Sequence, residues 1–366
     1  MAGSPRKRTK FNLTAGLLAV GLLLTACQPA PPPEPPTPSP SETSGPSPSG
    51  SSGPSSPQPG PGGTVHFTAQ GDIGVGSGAK KVLDAIAELK PQLNLALGDY
   101  SYKSGIEEQF CGMVTGKLGT ELPYQLVTGN HESDGHEGDI ENFVRCLPNK
   151  LPGLQGEYGT QWYADVPEKN PVVRFVLVSP GIDFRNGPLD YSKGSERWRW
   201  TTDAIDSAKS QGIPWTVVGM HVPCLSVGRY DCQAGEEFTN MLIEKKVDLV
   251  LSGHDHVYQR TYQLGTGAGC PGLQAAAFAR SCLADSDSSM VQGHGTVFAT
   301  VGTGGVGLYD IDSKDPEMGY FATASGKNRN AAFGTLDVKA TQQELNARFV
   351  AAKGYSLTDS FTIRRG

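Results

Sequence analysis

The stretch "LNLALGDYSY" (Leu93–Tyr102) sets a short, mostly apolar run against a glycine and an acidic residue. Such a run, closed by glycine, reads as a strand buried on both faces. A carboxylate just past its end asks for a reason. The same order recurs along the chain. "TVHFTAQGD" ends at Asp72, "YQLVTGNHE" in Asn130, His131 and Glu132, "PWTVVGMH" at His221, and "VDLVLSGHDH" in His254 and His256. Between several of these runs lie helix-like stretches. In "GAKKVLDAIAELK", Val82, Leu83, Ile86 and Leu89 follow a helical spacing. "SERWRWTTDAIDSAKSQG" closes on Gly212, suited to a helix end, and "EEFTNMLIEKK" is similar. Strand, helix and strand in repetition predict a mainly parallel sheet covered by helices. Ligands bind beyond the carboxyl ends of such strands. Five ends here carry Asp, Asn or His, and the expectation is that they converge on one sheet edge.

The last third differs. "GTVFATVGTGG", "AAFGTLDVKA", "ELNARFVAA" and "LTDSFTIRR" predict short strands joined by turns, a second sheet made largely of hairpins. The expected fold class is α/β, with two packed mixed β-sheets flanked by helices. "VGTGGVG" (Val301–Gly307) lets backbone approach a neighbour closely, but it lacks the Gly-Lys-Ser/Thr ending of a phosphate-binding P-loop.

Three segments are expected. Residues 1–27 read as a lipoprotein signal peptide: Arg6, Lys7, Arg8 and Lys10 precede an uncharged run, and Leu24-Thr25-Ala26-Cys27 resembles a bacterial lipobox with Cys27 as the lipidated residue. Lipid chains would then provide the membrane contact, at the outer face of a bacterial cell membrane. Residues 28–63 hold 14 of the 27 prolines, with Ser, Gly and Thr, and read as a disordered stalk. Residues 64–366 form the folded domain. Of 31 Lys+Arg, four lie in the leader, leaving 27 against 37 Asp+Glu over residues 28–366, a net charge of −10. That balance and the lack of a basic cluster argue against nucleic acid as a partner. Apart from Cys27 there are six cysteines, an even number that suggests three disulfides in an exported chain. Pairing of sequence neighbours (111–146, 224–232, 270–282) is the simplest of the fifteen arrangements.

Four of the seven histidines sit at the strand ends. Imidazole, carboxylate and amide together suit borderline to hard metal ions. His254 and His256 are two apart, on one face of an extended segment, and could serve two adjacent ions that Asp99 would bridge. His66, His136 and His294 lack this context and read as ordinary residues.

The ordered set Asp72-Ile73-Gly74, Gly98-Asp99-Tyr100-Ser101-Tyr102, Gly129-Asn130-His131-Glu132, Val218-Gly219-Met220-His221 and Gly253-His254-Asp255-His256 resembles the calcineurin-like metallophosphoesterases. Gly74, where most of that superfamily carries histidine, and Tyr102, three residues after Asp99, resemble the purple acid phosphatases. So does the continuation to Arg260. The resemblance implies the α/β/β/α sandwich of that type. It implies a first ion, Fe(III), on Asp72, Asp99, Tyr102 and His256, and a second, Zn(II), Mn(II) or Fe(II), on Asp99, Asn130, His221 and His254. It implies hydrolysis of small phosphate monoesters, with metal-bound hydroxide attacking phosphorus in line and His131 protonating the leaving oxygen. Phosphodiester hydrolysis at the same site and a non-catalytic surface-binding protein are the alternatives. A serine hydrolase is disfavoured, because no Gly-x-Ser-x-Gly follows an apolar strand. The sequence departs from the pattern nine residues after His221. A further histidine is common there, and here it is Tyr230, beside Arg229; both are candidate substrate contacts. Oligomeric state is not legible.

Overall fold

Successive residues of a strand point to opposite faces, and here both faces find a core. In the strand Leu249–Ser252, Leu249 and Leu251 enter one core and Val250 another. In Val173–Leu177, Phe175 and Leu177 take the first and Val176 the second. That division explains why the runs read as continuously apolar rather than alternating. The computed structural model describes residues 63–366 together with Pro57 and Gly60; the leader with Cys27 and the rest of the linker lie outside the described residues.

The strands form two large mixed sheets. The first has seven strands, in the order 289–291, 360–364, 344–351, 334–340, 65–70, 93–96, 124–126. The second has eight, in the order 321–325, 258–261, 297–301, 249–252, 215–219, 173–177, 161–166, 155–157. Parallel strands lie at 65–70, 93–96 and 124–126 in the first, and at 173–177, 215–219, 249–252 and 297–301 in the second. The sheets pack face to face through one shared core. Phe67 of the first meets Phe175 of the second edge-on, ring centres 4.9 Å apart, and Trp162 Nε1 donates across to the Leu126 carbonyl at 2.9 Å. Each such side chain, fully buried, contributes on the order of 1.5–3 kcal/mol.

Helices Ser77–Leu89, Glu107–Leu118 and Ile140–Cys146 cover the outer face of the first sheet, burying Leu83, Ile86, Phe110 and Phe143. Helices Glu196–Ser210 and Glu236–Glu244 cover the second, burying Ile205, Phe238 and Leu242. Ser195 caps the former by accepting from the Trp198 N–H at 3.1 Å, and Gly212 follows it with φ 70°. The expected layering is therefore present, and the three disulfides join Cys111–Cys146, Cys224–Cys232 and Cys270–Cys282.

Two expectations are corrected. The strand ends do not belong to one sheet: those leading to Asp72, Asp99 and Asn130 lie in the first, those leading to His221, His254 and His256 in the second. The last third does not form a sheet of its own. Val297–Val301 joins the second sheet, while Gly334–Ala340, Glu344–Ala351 and Ser360–Arg364 complete the first, with Val65 paired to Ala340. The physical reason is that pairing partners this remote in sequence leave no local signature; hairpin strands can extend a parallel sheet as readily as build a new one.

Candidate metal centre

The two sheets end side by side, and their loops are stitched together across the seam. The Gly71 N–H donates to the Val301 carbonyl at 2.9 Å, and Gly304 N–H donates back to the Gly71 carbonyl at 2.9 Å. Asp72 N–H reaches the Gly98 carbonyl at 3.1 Å. The glycine-rich 301–307 segment thus approaches another loop closely; a Cβ on Gly302 would lie 2.8 Å from Asp72 Oδ2. Asp72, Asp99 and His254 all hold left-handed backbone, φ 61°, 56° and 68°. That conformation costs a non-glycine residue on the order of 1–3 kcal/mol and gathers at functional sites. Gly98 precedes Asp99 with φ 87°, and a Cβ there would lie 2.6 Å from His221 Nδ1.

These turns bring the expected ligands together. Asp99, His221 and His254 place ligand atoms within 4.8 Å of one another, and so do Asp72, Asp99 and His256. Asp99 is shared. His221 Nε2 lies 3.2 Å from Asp99 Oδ1, 3.2 Å from Asn130 Oδ1 and 3.2 Å from His254 Nδ1. His256 Nε2 lies 3.4 Å from Asp72 Oδ1 and 3.3 Å from the Tyr102 hydroxyl, which is 3.4 Å from Asp99 Oδ2. Asp72, Asp99, His221, His254 and His256 are buried; Tyr102 and His131 are half-buried and Asn130 is exposed, so the site opens on that side.

Ring orientations prepare the free nitrogens. His221 Nδ1 faces the Leu97 carbonyl at 2.7 Å and His256 Nδ1 the Gly307 carbonyl at 2.9 Å. In a neutral ring with its proton on Nδ1, each Nε2 would present a lone pair inward. Around His221 Nε2, carboxylate, amide oxygen and a second imidazole crowd together, three acceptors that one Nε2 proton cannot serve at once. Such a knot of lone pairs is what a cation resolves, and this donor set fits metal ions.

The charges agree. Burial pushes the Asp99 carboxyl up, but His221 and His131 outweigh it and leave it at about 2. Burial pulls His221 down, yet Asp99 carries it up to about 9. Burial and then His221 hold His254 down at about 3, an unprotonated ligand. Burial, then Asp72 and Asp99, push the Tyr102 phenol well above its ordinary range. Burial and Asp99 also raise Glu132 to about 8, against N–H donors from Asp99, Tyr100 and Gly129 at 3.0, 3.2 and 2.6 Å.

His131 stands at the rim. Its Nε2 is 3.6 Å from Asp99 Oδ2, its Nδ1 pairs with Glu137, and its ring lies 4.2 Å from that of Tyr102. Arg229 and Tyr230 also reach this region. Tyr230 stacks on His254, ring centres 4.2 Å apart, and Tyr309 stacks on His256 at 4.1 Å. Glu132, Glu137, Asp255 and Tyr309 had no expected role. The expected extended segment carrying His254 and His256 is instead a tight bend, with His254 at φ 68° and the Val257 N–H turned back to the Asp255 carbonyl at 2.6 Å, so strand alternation could not place Asp255. It is fully buried and accepts from Ser226 Oγ and from the N–H groups of Arg229 (2.8 Å) and Tyr230 (3.3 Å). It holds the loop that carries both candidates. His136 pairs with Asp134 in solvent and His66 with Asp337, away from the site.

The chain belongs to the calcineurin-like phosphoesterase family, whose model matches residues 65–258; members of this family use two metal ions. Among curated proteins it is similar to purple acid phosphatase 18 of Arabidopsis thaliana, 24% identical over 217 residues, covering 57% of this chain and 47% of that one. It is similar also to an acid phosphatase of Aspergillus ficuum, 34% identical over 212 residues, 40% of this chain and 34% of that one. The chain spans about half the length of the first curated relatives it matches. Among solved structures, a purple acid phosphatase from yellow lupin (Lupinus luteus) seeds shares the fold, with TM-score 0.63, 19% identity, and coverage of 85% of this chain and 55% of that one.

Proposed function

We propose that this protein is an acid phosphatase that hydrolyses small phosphate monoesters at a pair of metal ions. The observation that carries the reading is Asp99, one buried carboxylate common to two ligand groups. Asp72, Asp99, Tyr102 and His256 would hold the first ion, and Asp99, Asn130, His221 and His254 the second. Tyr102 selects Fe(III) for the first: a phenol kept neutral by burial and by Asp72 and Asp99 ionises only beside a strong Lewis acid. Zn(II), Mn(II) or Fe(II) suits the nitrogen-richer second site. When bound, the ions supply Lewis-acid charge to the phosphate and acidify a water at low pH.

The chain's own groups do the rest. Asn130 and His131 sit on the open side, where the ester enters. His131, oriented by Glu137, donates its Nε2 proton to the leaving oxygen. Export and lipid anchoring through Cys27 belong to the same proposal and rest on the leader sequence alone; loss of lipid labelling in Cys27→Ala is the check. Among the described residues no helix is long and apolar enough to cross a membrane.

The test compares nitrophenyl phosphate with its bis-ester at acid pH, before and after chelation. Preference for the monoester, loss on chelation and recovery with iron plus zinc are expected. Activity indifferent to chelation would sink the metal reading, and preference for the bis-ester would make the protein a phosphodiesterase.

A further inference from the structure

Arg229 is not explained by the metal centre. It is exposed, yet its position is fixed from three sides. Asp255 holds its N–H, the Cys224–Cys232 disulfide closes the loop behind it, and its guanidinium lies over two aromatic rings, 5.0 Å from the centre of Tyr309 and 5.5 Å from that of Tyr230. Those rings stack on the ligands His256 and His254. The guanidinium therefore lies within about 9 Å of the His256 ring. It makes no ion pair with any described carboxylate, unlike Arg174, Arg185, Arg197, Arg260, Arg348 and Arg364.

Beside it opens a pocket of about 540 Å³, lined also by Tyr309, Lys327, Asp310 and Asp312. Lys327 is tied to the wall through its N–H, 2.7 Å from the Tyr309 carbonyl, and it too makes no ion pair among the described residues. Asp312 accepts from the Lys314 N–H at 2.8 Å. Two cations and two carboxylates leave the lining neutral, so no general field draws anions in. Selection must come from the directional donors of Arg229, whose planar fork matches a carboxylate or phosphate.

We propose that Arg229, clamped on Tyr230 and Tyr309, recognises a second anionic group on the substrate, so that the preferred esters are organic phosphates whose leaving alcohol carries a carboxylate or another phosphate. This rests on the phosphomonoesterase reading above. One end of the substrate sits on the metal ligands, and its other end reaches Arg229, with Lys327 further along the same pocket.

The experiment uses the full chain loaded with metal and three esters of similar size: propyl phosphate, phosphorylated hydroxypropionate and propanediol bisphosphate. The readout is the ratio of kcat/KM for each charged ester to that for propyl phosphate. A charge-assisted hydrogen bond is worth about 1.5–3 kcal/mol, roughly 10- to 100-fold. In Arg229→Met both ratios should fall by about that factor, mainly through KM; Arg229→Lys should recover part of the loss and Lys327→Met should lower the ratios several-fold. A fall for one charged ester alone identifies the group as carboxylate or phosphate. Ratios that stay put in Arg229→Met overturn the proposal, whether or not overall activity drops. Wild type active on all three without preferring the charged esters overturns it and leaves the phosphatase reading standing; wild type inert to all three removes both.

Discussion

The loops that end the first sheet and those that end the second meet at one seam, but they bring different chemistry. The first sheet delivers oxygen: the carboxylates of Asp72 and Asp99, the phenol of Tyr102 and the amide of Asn130. The second delivers nitrogen: His221, His254 and His256. Oxygen donors suit hard ions and imidazoles suit borderline ones. Neither set is a site by itself. Asp99 and His221, from opposite sheets, stand 3.2 Å apart, and Asp72 accepts the His254 N–H at 2.8 Å. The packing of the sheets, which Phe67 and Phe175 help to fix, is therefore also the assembly of the donor set.

Removal of the shared oxygen donor should have the largest effect. Asp99→Ala should lower kcat/KM for nitrophenyl phosphate by about 1,000-fold or more, because both ligand groups lose a member. A variant within 10-fold of wild type would show that Asp99 bridges nothing. His131→Ala tests the rim of the same sheet. Loss of a general acid is expected to cost about 100-fold in kcat, less for esters with good leaving groups. A uniform few-fold loss would leave His131 only a structural part.

Tyr102→Phe sharpens the oxygen–nitrogen contrast. The wild-type protein loaded with iron should absorb in the visible, and the variant should lose that band. Asp255→Asn acts on the second-sheet side, through the loop carrying Arg229 and Tyr230. A supporting carboxylate of this kind is worth about 10- to 100-fold in activity, and a fully active variant would leave that loop without influence on the site.

The last effect is on stability rather than activity and lies at the opposite end of the second sheet. Asp248 precedes the strand that leads to His254, accepts the Thr216 N–H at 2.8 Å and is buried, which raises its pKa to about 6. The folded chain keeps this proton between about pH 4 and 6 while the unfolded chain has lost it. Its contribution is thus most favourable below that window and declines as pH rises through it. Relative to wild type, the stability of Asp248→Asn should climb by up to about 3 kcal/mol as pH rises from about 4 to 6 and stay level above. Urea titrations across that range check it, and a constant difference would contradict it.

Much of this was legible beforehand because the strands announce themselves. Glycine followed by Asp, Asn or His marks four of the five exits, Met220 intervening before His221, and the left-handed backbone at Asp72, Asp99 and His254 shows why small or polar residues stand there. The disulfides followed sequence neighbours. What stayed hidden was which sheet each strand joins. Leu93–Ala96 and Leu249–Ser252 are alike in length and burial, yet they lie in different layers. Glu137 and Tyr309 were also invisible, since an exposed glutamate and a loop tyrosine carry no pattern. Their roles come only from the contacts with His131 and His256.

The central claim is that one carboxylate of the first sheet joins two metal sites completed by the second. Metal content per chain, measured by mass spectrometry on the purified protein after loading and desalting, tests it most directly. Two ions are expected in wild type, one of them iron, and fewer than one in Asp99→Ala. Two ions retained in Asp99→Ala, or none in wild type, would contradict it.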